Sequence, residues 1–172
     1  MSAAPFLASL LLGGPAAAAL VAAVGSTDLR EIRRQVPWYG TVFNHASVVL
    51  SVVMGGAVFE LIRREVADLP AAAALALTFA GLLIGSGIYY MINAILALMA
   101  VSARTGTPIR TIWAQDLGAV MATLLGLAPL AWLMAEIFRL PNGVGWWATP
   151  LFVVPLFTTR LAYHRYVETR EL

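Results

Sequence analysis

Residues 71–103 read AAAALALTFAGLLIGSGIYYMINAILALMAVSA and contain no Asp, Glu, Lys, Arg or His. About twenty apolar residues are enough for an α-helix to cross the roughly 30 Å hydrocarbon layer of a bilayer. The stretch therefore predicts a transmembrane helix, and it decides the fold class. Its length leaves two arrangements open: one tilted or protruding crossing, or two short segments that are separated by a break at Gly85, Ser86 and Gly87.

The overall composition is also that of a membrane protein. The 172 residues are 60% hydrophobic and 12% charged, with a mean hydropathy of +0.83, whereas about a quarter of the residues in soluble domains are charged. The apolar runs are continuous rather than alternating, which favours helices over a transmembrane β-barrel. Because cysteine is absent, disulfides, thiolate nucleophiles and Cys-based metal sites are excluded. We therefore predict an all-α, polytopic membrane bundle.

The pattern predicts about five transmembrane helices and one short interfacial helix after the first. The first covers about residues 5–24, either as a crossing or as a re-entrant pair with a break at Gly13-Gly14-Pro15. The interfacial helix lies within residues 26–34. The other predicted spans are residues 41–62, 71–103, 107–138 and 146–159, with a kink at Pro129. Residues 1–159 thus form a membrane bundle, and residues 160–172 form a cytoplasmic helical tail or truncated linker.

The arginines predict how the bundle is oriented. The loop of residues 25–40, the loop of residues 104–110 and the C-terminal tail share one face and hold eight of the eleven basic residues. Cytoplasmic loops carry such an excess of positive charge, so the C-terminus is expected in the cytoplasm and the N-terminus outside a bacterial inner membrane. Two crossings within residues 71–103 would reduce the excess to seven against four, which favours one crossing. Nucleic-acid binding is not expected, because the ends of the spans already explain the arginines.

Polar side chains within the predicted spans are the candidate ligand-binding residues, since polar groups are costly in lipid. Asn44, His45, Asn93 and Asp116 are expected at depths within roughly 10 Å of one another. They could line one polar pocket in the inner half of the membrane, or they could act as separate hydrogen bonds between helices.

Catalytic motifs do not appear in the sequence. It has no HExxH motif, no P-loop and no paired acids on one helix face, and the two histidines are isolated. Gly85-Ser86-Gly87 resembles the serine motif of intramembrane proteases, but no base is positioned for it. We therefore expect no enzymatic activity, no cofactor and no metal site.

Small residues and ion pairs are expected to stabilise the bundle. Gly81 and Gly85 lie four residues apart and predict a face on which a second helix packs closely, as do Gly118, Ala122 and Gly126. Ion pairs at the membrane interface are expected for Glu60 with Arg63 and Arg64, and for Glu136 with Arg139.

Five stretches of the chain resemble, in order and spacing, the N-terminal membrane region of bacterial signalling proteins. They are GGPAAAALVAAVGS (13–26), RRQVPWYGTVFNHAS (33–47), YYMINAILALMAVSARTGTPIRTIW (89–113), LAPLAWLMAEIF (127–138) and PLFTTRLAYHRYVETREL (155–172). In those proteins a cytoplasmic HD-GYP phosphohydrolase or GGDEF diguanylate cyclase domain follows. The membrane region in turn resembles the six-helix S components of energy-coupling-factor vitamin transporters, although the first of the six helices has no counterpart here.

The resemblance implies a sensory or regulatory input module that passes a change in packing through its C-terminal helix to an output domain or a protein partner. It also implies candidate ligand positions at Trp38, Tyr39, Asn44 and Asn93. Two alternatives stay open: an S-component-like transporter subunit that binds a small, mostly apolar molecule, and an accessory subunit of a larger membrane complex.

Overall fold

The computed structural model describes the backbone of residues 3–27, 29–141, 145, 147 and 150, with the side chains of these residues except 3, 29, 111, 112 and 114–126. It contains the helices α1 (Ala3–Gly25), α2 (Leu29–Ile32), α3 (Trp38–Glu65), α4 (Ala71–Thr105) and α5 (Ile109–Phe138). No strand occurs within these described ranges, so the predicted all-α fold class is confirmed. The chain divides between Trp132 and Leu133 into two compact units, a first unit that ends at Trp132 and a second unit that begins at Leu133.

Helix α1 is folded back on itself at Gly14. This residue has φ 74° and ψ −171°, a conformation that is strained for any residue with a Cβ atom. Pro15 follows and begins the second arm, where its missing N–H removes no helical hydrogen bond. A Cβ atom on Gly25 would lie 3.0 Å from the ring of Phe6, whereas a straight helix would separate these residues by about 28 Å. The structure therefore has the re-entrant pair rather than a straight helix.

The two arms of this hairpin, residues 3–13 and 15–25, are each about 16 Å long, which is half of the hydrocarbon thickness. Length and composition alone would allow residues 4–25 to span a membrane, but neither arm is long enough to cross once the helix folds back. The tip of the hairpin contacts the middle of α3, because a Cβ atom on Gly56 would lie 2.9 Å from Leu10 and 3.3 Å from Pro15. The predicted N-terminus outside the cell assumes that α1 crosses the membrane. The hairpin does not support that assumption, and the compartment of either terminus stays a prediction.

Thiol cross-linking would test the fold-back of α1 directly. The chain has no cysteine, so the variant Phe6→Cys/Gly25→Cys carries only two thiols. We expect a short bifunctional thiol reagent to join them within one chain, because the two positions are adjacent in the hairpin. The control is Trp38→Cys/Ala57→Cys, which has the same sequence separation within the continuous helix α3 and should not be joined. Equal cross-linking of the two pairs would contradict the hairpin.

Helix α4 is continuous from Ala71 to Thr105. Gly85, Ser86 and Gly87 lie inside it and do not interrupt it, so the prediction of a single helix over residues 71–103 is confirmed. The helix ends at Thr105, and the next residue, Gly106, has a left-handed φ of 70° and donates its N–H to the carbonyl of Ser102.

Helices α3 and α4 are antiparallel and pack backbone against backbone. A Cβ atom on Gly85 would lie 2.7 Å from the carbonyl oxygen of Gly55, and a Cβ atom on Gly55 would in turn collide with the carbonyl oxygen of Gly85. One turn away, Gly81 packs against Ile62. The predicted close packing at Gly81 and Gly85 is therefore confirmed, and it follows the general use of small residues between membrane helices.

Large apolar side chains cover the outer faces of α3 and α4. The exposed ones include Val42, Leu50, Met54 and Leu61 on α3, and Leu75, Ile84, Met91 and Ile95 on α4. Contiguous apolar surface of this kind is unfavourable in water and suits lipid. Both helices are also long and apolar enough to cross a membrane, so the chain is a helical membrane protein.

Helix α5 is continuous across Pro129. Within the first unit, Trp132 packs edge to face on Phe79 of α4, with the ring centroids 5.5 Å apart. Within the second unit Glu136 pairs with Arg139. The predicted face at Gly118, Ala122 and Gly126 involves side chains that are not described, and the predicted fifth span and tail lie almost entirely beyond the described residues.

The ion pairs expected near the ends of the spans are present. Glu60 accepts hydrogen bonds from Arg63 at 2.8 Å and from Arg64 at 3.1 Å. These pairs stabilise the end of α3 that lies farthest from Trp38.

Candidate functional site

Four polar side chains meet where the end of the hairpin, α2 and the beginning of α3 come together. We call Ser26, Glu31, Asn44 and His45 the polar cluster. The Nδ1 atom of His45 lies 2.7 Å from the carbonyl oxygen of Ala23 and 3.0 Å from the hydroxyl of Ser26. Its Nε2 atom lies 3.0 Å from a carboxyl oxygen of Glu31. The Nδ2 group of Asn44 donates to the carbonyl of Ser26 and to the other carboxyl oxygen of Glu31, both at 3.3 Å.

The local fold places these side chains together. Ser26 follows the last residue of α1 and donates its N–H to the carbonyl of Ala22. Glu31 lies in the single turn of α2, and Asn44 and His45 lie two turns into α3. The cluster therefore fastens the end of the re-entrant hairpin and the interfacial helix to a membrane helix.

The hydrogen bonds of His45 determine where its protons lie. A carbonyl oxygen can only accept, so Nδ1 carries a hydrogen and donates it to Ala23. The contact between Nε2 and Glu31 then requires one more proton, held either by the ring as an imidazolium or by the carboxyl group. In both states the pair has no net charge, which suits its position because only 7% of the Glu31 side chain and 25% of the His45 side chain are exposed.

Serine, histidine and an acid are also the components of a hydrolase triad, but their hydrogen bonding here differs. A triad histidine accepts the proton of the serine hydroxyl. In this cluster the Nδ1 atom next to Ser26 is a donor, and the Ser26 hydroxyl lies 3.4 Å from the Ala23 carbonyl, to which it donates. The arrangement stabilises a junction between helices and does not activate Ser26.

A small apolar cavity lies between the hairpin, α3 and α4. Its volume is about 10 Å³, and it is lined by Phe6, Leu7, Leu10, Val52, Gly55, Gly56, Gly85 and Tyr89. This is about the volume that one water molecule needs, whereas sites for drug-sized ligands measure about 300–1,000 Å³. The cavity is therefore a local packing defect beside the contact between Gly55 and Gly85.

Tyr89 lines this cavity, and Asn93 lies one helical turn after it on α4. The ring of Tyr89 packs edge to face on Tyr90, with the centroids 4.8 Å apart. The hydroxyl of Tyr90 is buried and has no hydrogen-bond partner among the described residues.

Residues 5–165 match the family model of MASE9, a membrane-associated sensor family. The chain belongs to the MASE9 family. The match includes α2 to α5 and all of α1 except its first two residues, and with them the polar cluster and the cavity. The same chain matches no curated protein and no solved structure.

In this MASE9 chain the predicted site residues separate into distinct groups. Asn44 and His45 join the polar cluster, while Asn93 lies on α4, one turn after Tyr89. Trp38 and Tyr39 lie in the first turn of α3, where their side chains are 77% and 64% exposed and their rings pack edge to face. Asp116 belongs to α5, but its side chain lies outside the described part of the chain. Ligand binding by these six residues stays a prediction.

Sequence reasoning missed Ser26 and Glu31 as members of the cluster. Both belong to the polar stretch that was expected to form an interfacial helix, where a charged residue normally faces water. Glu31 instead reaches His45, fourteen positions along the chain. The only signal for this contact was the glycine–proline break in α1, because the fold-back places the end of the hairpin beside the beginning of α3.

Proposed function

We propose that this chain is a membrane-embedded sensory input module whose helices change their packing in response to a stimulus and pass that change to the cytoplasm through the C-terminal helix. The observation that carries the proposal is the match of residues 5–165 to a membrane-associated sensor family. The resemblance to the membrane regions that precede HD-GYP and GGDEF domains supports an output of the same kind.

The hairpin of α1 is the element that we expect to have two arrangements against α3. The polar cluster fixes one end of the hairpin, while its tip contacts Gly56 beside a small cavity. A stimulus shifts such an equilibrium only if it interacts differently with the two arrangements. We expect this difference at the polar cluster, because it joins the end of α1, α2 and the beginning of α3. One proton is shared there between His45 and Glu31, which we call the proton-sharing pair.

A transporter subunit needs a cavity that encloses its cargo. Within the described residues, the cavity between the hairpin, α3 and α4 holds about 10 Å³, so this part of the chain lends no support to transport. The proposal includes no catalysis, because His45 is not placed to accept a proton from Ser26.

A fusion of residue 172 to an output domain with a measurable activity tests this function. We expect Glu31→Gln to change the basal output by at least about fivefold, the lower end of typical coupling between sites, because it alters the proton-sharing pair. The control is Glu136→Gln, which removes the same charge from an exposed pair on α5 and should leave the output unchanged. Unchanged output in both variants, together with a nutrient that copurifies with the chain, would favour transport.

A further inference from the structure

The turn after α2 holds an arginine in a backbone conformation that favours glycine. The N–H of Gln35 donates to the carbonyl of Arg30 at 2.8 Å, and the N–H of Arg34 donates to the carbonyl of Glu31 at 3.0 Å. This pair of bonds defines a Schellman motif, whose left-handed position is usually occupied by glycine. Here that position is Arg34, with φ 55°. An arginine is strained at this position, so it calls for a role of its side chain.

The side chains of Arg33 and Arg34 are exposed, and no acidic group forms an ion pair with either of them in the described part of the chain. Among the described residues, the acidic residue closest in sequence to these arginines is Glu31, whose carboxyl group contacts His45 and Asn44. Glu31 is the one acidic residue of α2, and in the polar cluster it does not neutralise Arg33 or Arg34. Two guanidinium groups remain available to an external anion.

Exposed apolar and aromatic side chains lie on both sides of these arginines in the sequence. Ile32 precedes them, and Trp38, Tyr39 and Val42 follow at the beginning of α3. Tryptophan and tyrosine rings are enriched at the level of lipid headgroups. Arginine in turn binds phosphate through two parallel hydrogen bonds.

We propose that Arg33, Arg34, Trp38 and Tyr39 form a surface that binds the headgroup of an anionic phospholipid of the surrounding bilayer. The arginines bind the lipid phosphate, and the two aromatic rings lie among the neighbouring headgroups. A nucleic acid or an acidic soluble protein fits this surface less well, because the exposed side chains of Ile32 and Val42 beside it require an apolar environment. The surface does not depend on the proposed sensory function.

Native mass spectrometry of the full chain in detergent tests the proposal. The protein is titrated with phosphatidylglycerol, or with phosphatidylcholine that has the same acyl chains, and the lipid concentration that gives half occupancy is measured. We expect phosphatidylglycerol to bind at lower concentration. The variant Arg33→Gln/Arg34→Gln should raise that concentration by about 25-fold, since each basic residue near an anionic surface contributes about fivefold, and should leave phosphatidylcholine binding unchanged.

The variant Arg34→Gly separates lipid binding from folding. Glycine adopts the left-handed conformation without strain, so we expect the melting temperature to rise by about 2–4 °C. Binding of phosphatidylglycerol should nevertheless weaken by about fivefold. A rise in melting temperature without a loss of lipid binding would overturn the proposal.

The matched control is Arg63→Gln at the other end of α3, which removes the same charge from a residue already paired with Glu60. It should change phosphatidylglycerol binding by less than about twofold, because the paired charge contributes little. A loss as large as that of Arg34→Gly would show a general effect of net charge and would overturn the site. Displacement of the lipid by inorganic phosphate alone would also overturn it, since the surface would then recognise a free anion.

Discussion

Replacing Gly85 with alanine is expected to lower the free energy of unfolding by about 2–3 kcal/mol. The added Cβ atom would lie 2.7 Å from the carbonyl oxygen of Gly55. This obstacle is backbone, so it cannot turn aside as a flexible side chain would. Helices α3 and α4 must therefore move apart along a contact that also includes Gly81 and Ile62.

Equilibrium unfolding in mixed micelles measures this effect, with Gly87→Ala as the control. Gly87 lies in the same helix, and a Cβ atom there would have no neighbour within 4 Å. The control variant should be as stable as the wild type, or more stable by up to about 1 kcal/mol, because alanine has the higher helix propensity. If the two alanine variants unfold alike, α3 and α4 do not pack at Gly55 and Gly85.

Replacing His45 with leucine is expected to lower the free energy of unfolding by about 3 kcal/mol. The substitution removes the His45 ring from Glu31, whose side chain is 7% exposed. A carboxylate in this position is poorly solvated and loses a charge-assisted hydrogen bond. The hairpin should then detach more readily from α3, since His45 also binds the carbonyl of Ala23.

A double-mutant cycle separates this pair from the general effect of an apolar substitution. The variant Glu31→Leu/His45→Leu should recover much of the loss, which gives a coupling energy of about 1.5–3 kcal/mol. The control cycle uses Glu136 and Arg139, whose side chains are 45% and 48% exposed, and should give less than about 1 kcal/mol. Equal coupling in the two cycles would mean that Glu31 is solvated rather than held by His45.

The long helices could be predicted closely, because uncharged segments and their charged or proline boundaries are local features. Helix α3 was expected over residues 41–62 and extends over Trp38–Glu65. Helix α4 was expected over residues 71–103 and ends only two residues later, at Thr105. In both cases the hydropathy pattern determines the helix, and the exact ends depend on capping contacts.

The hairpin and the polar cluster were harder to predict, because they depend on contacts between distant residues. A straight α1 and a folded α1 have the same apolar composition, so hydropathy alone could not choose between them. The expected depths of Asn44, His45, Asn93 and Asp116 depend only on their positions along the helices. Contacts between them also depend on which side of each helix faces its neighbour, and the approach of Glu31 depends on the fold-back of α1.

The fold-back of α1 predicts one crossing fewer for the chain. Two arms that are each half as long as the hydrocarbon layer is thick add no crossing, so we expect an epitope placed ahead of Ala3 and one inserted among residues 26–37 to be reached by antibodies from the same compartment. Any topology map that counts α1 as a full passage would then assign the wrong compartment to everything on one side of Gly14.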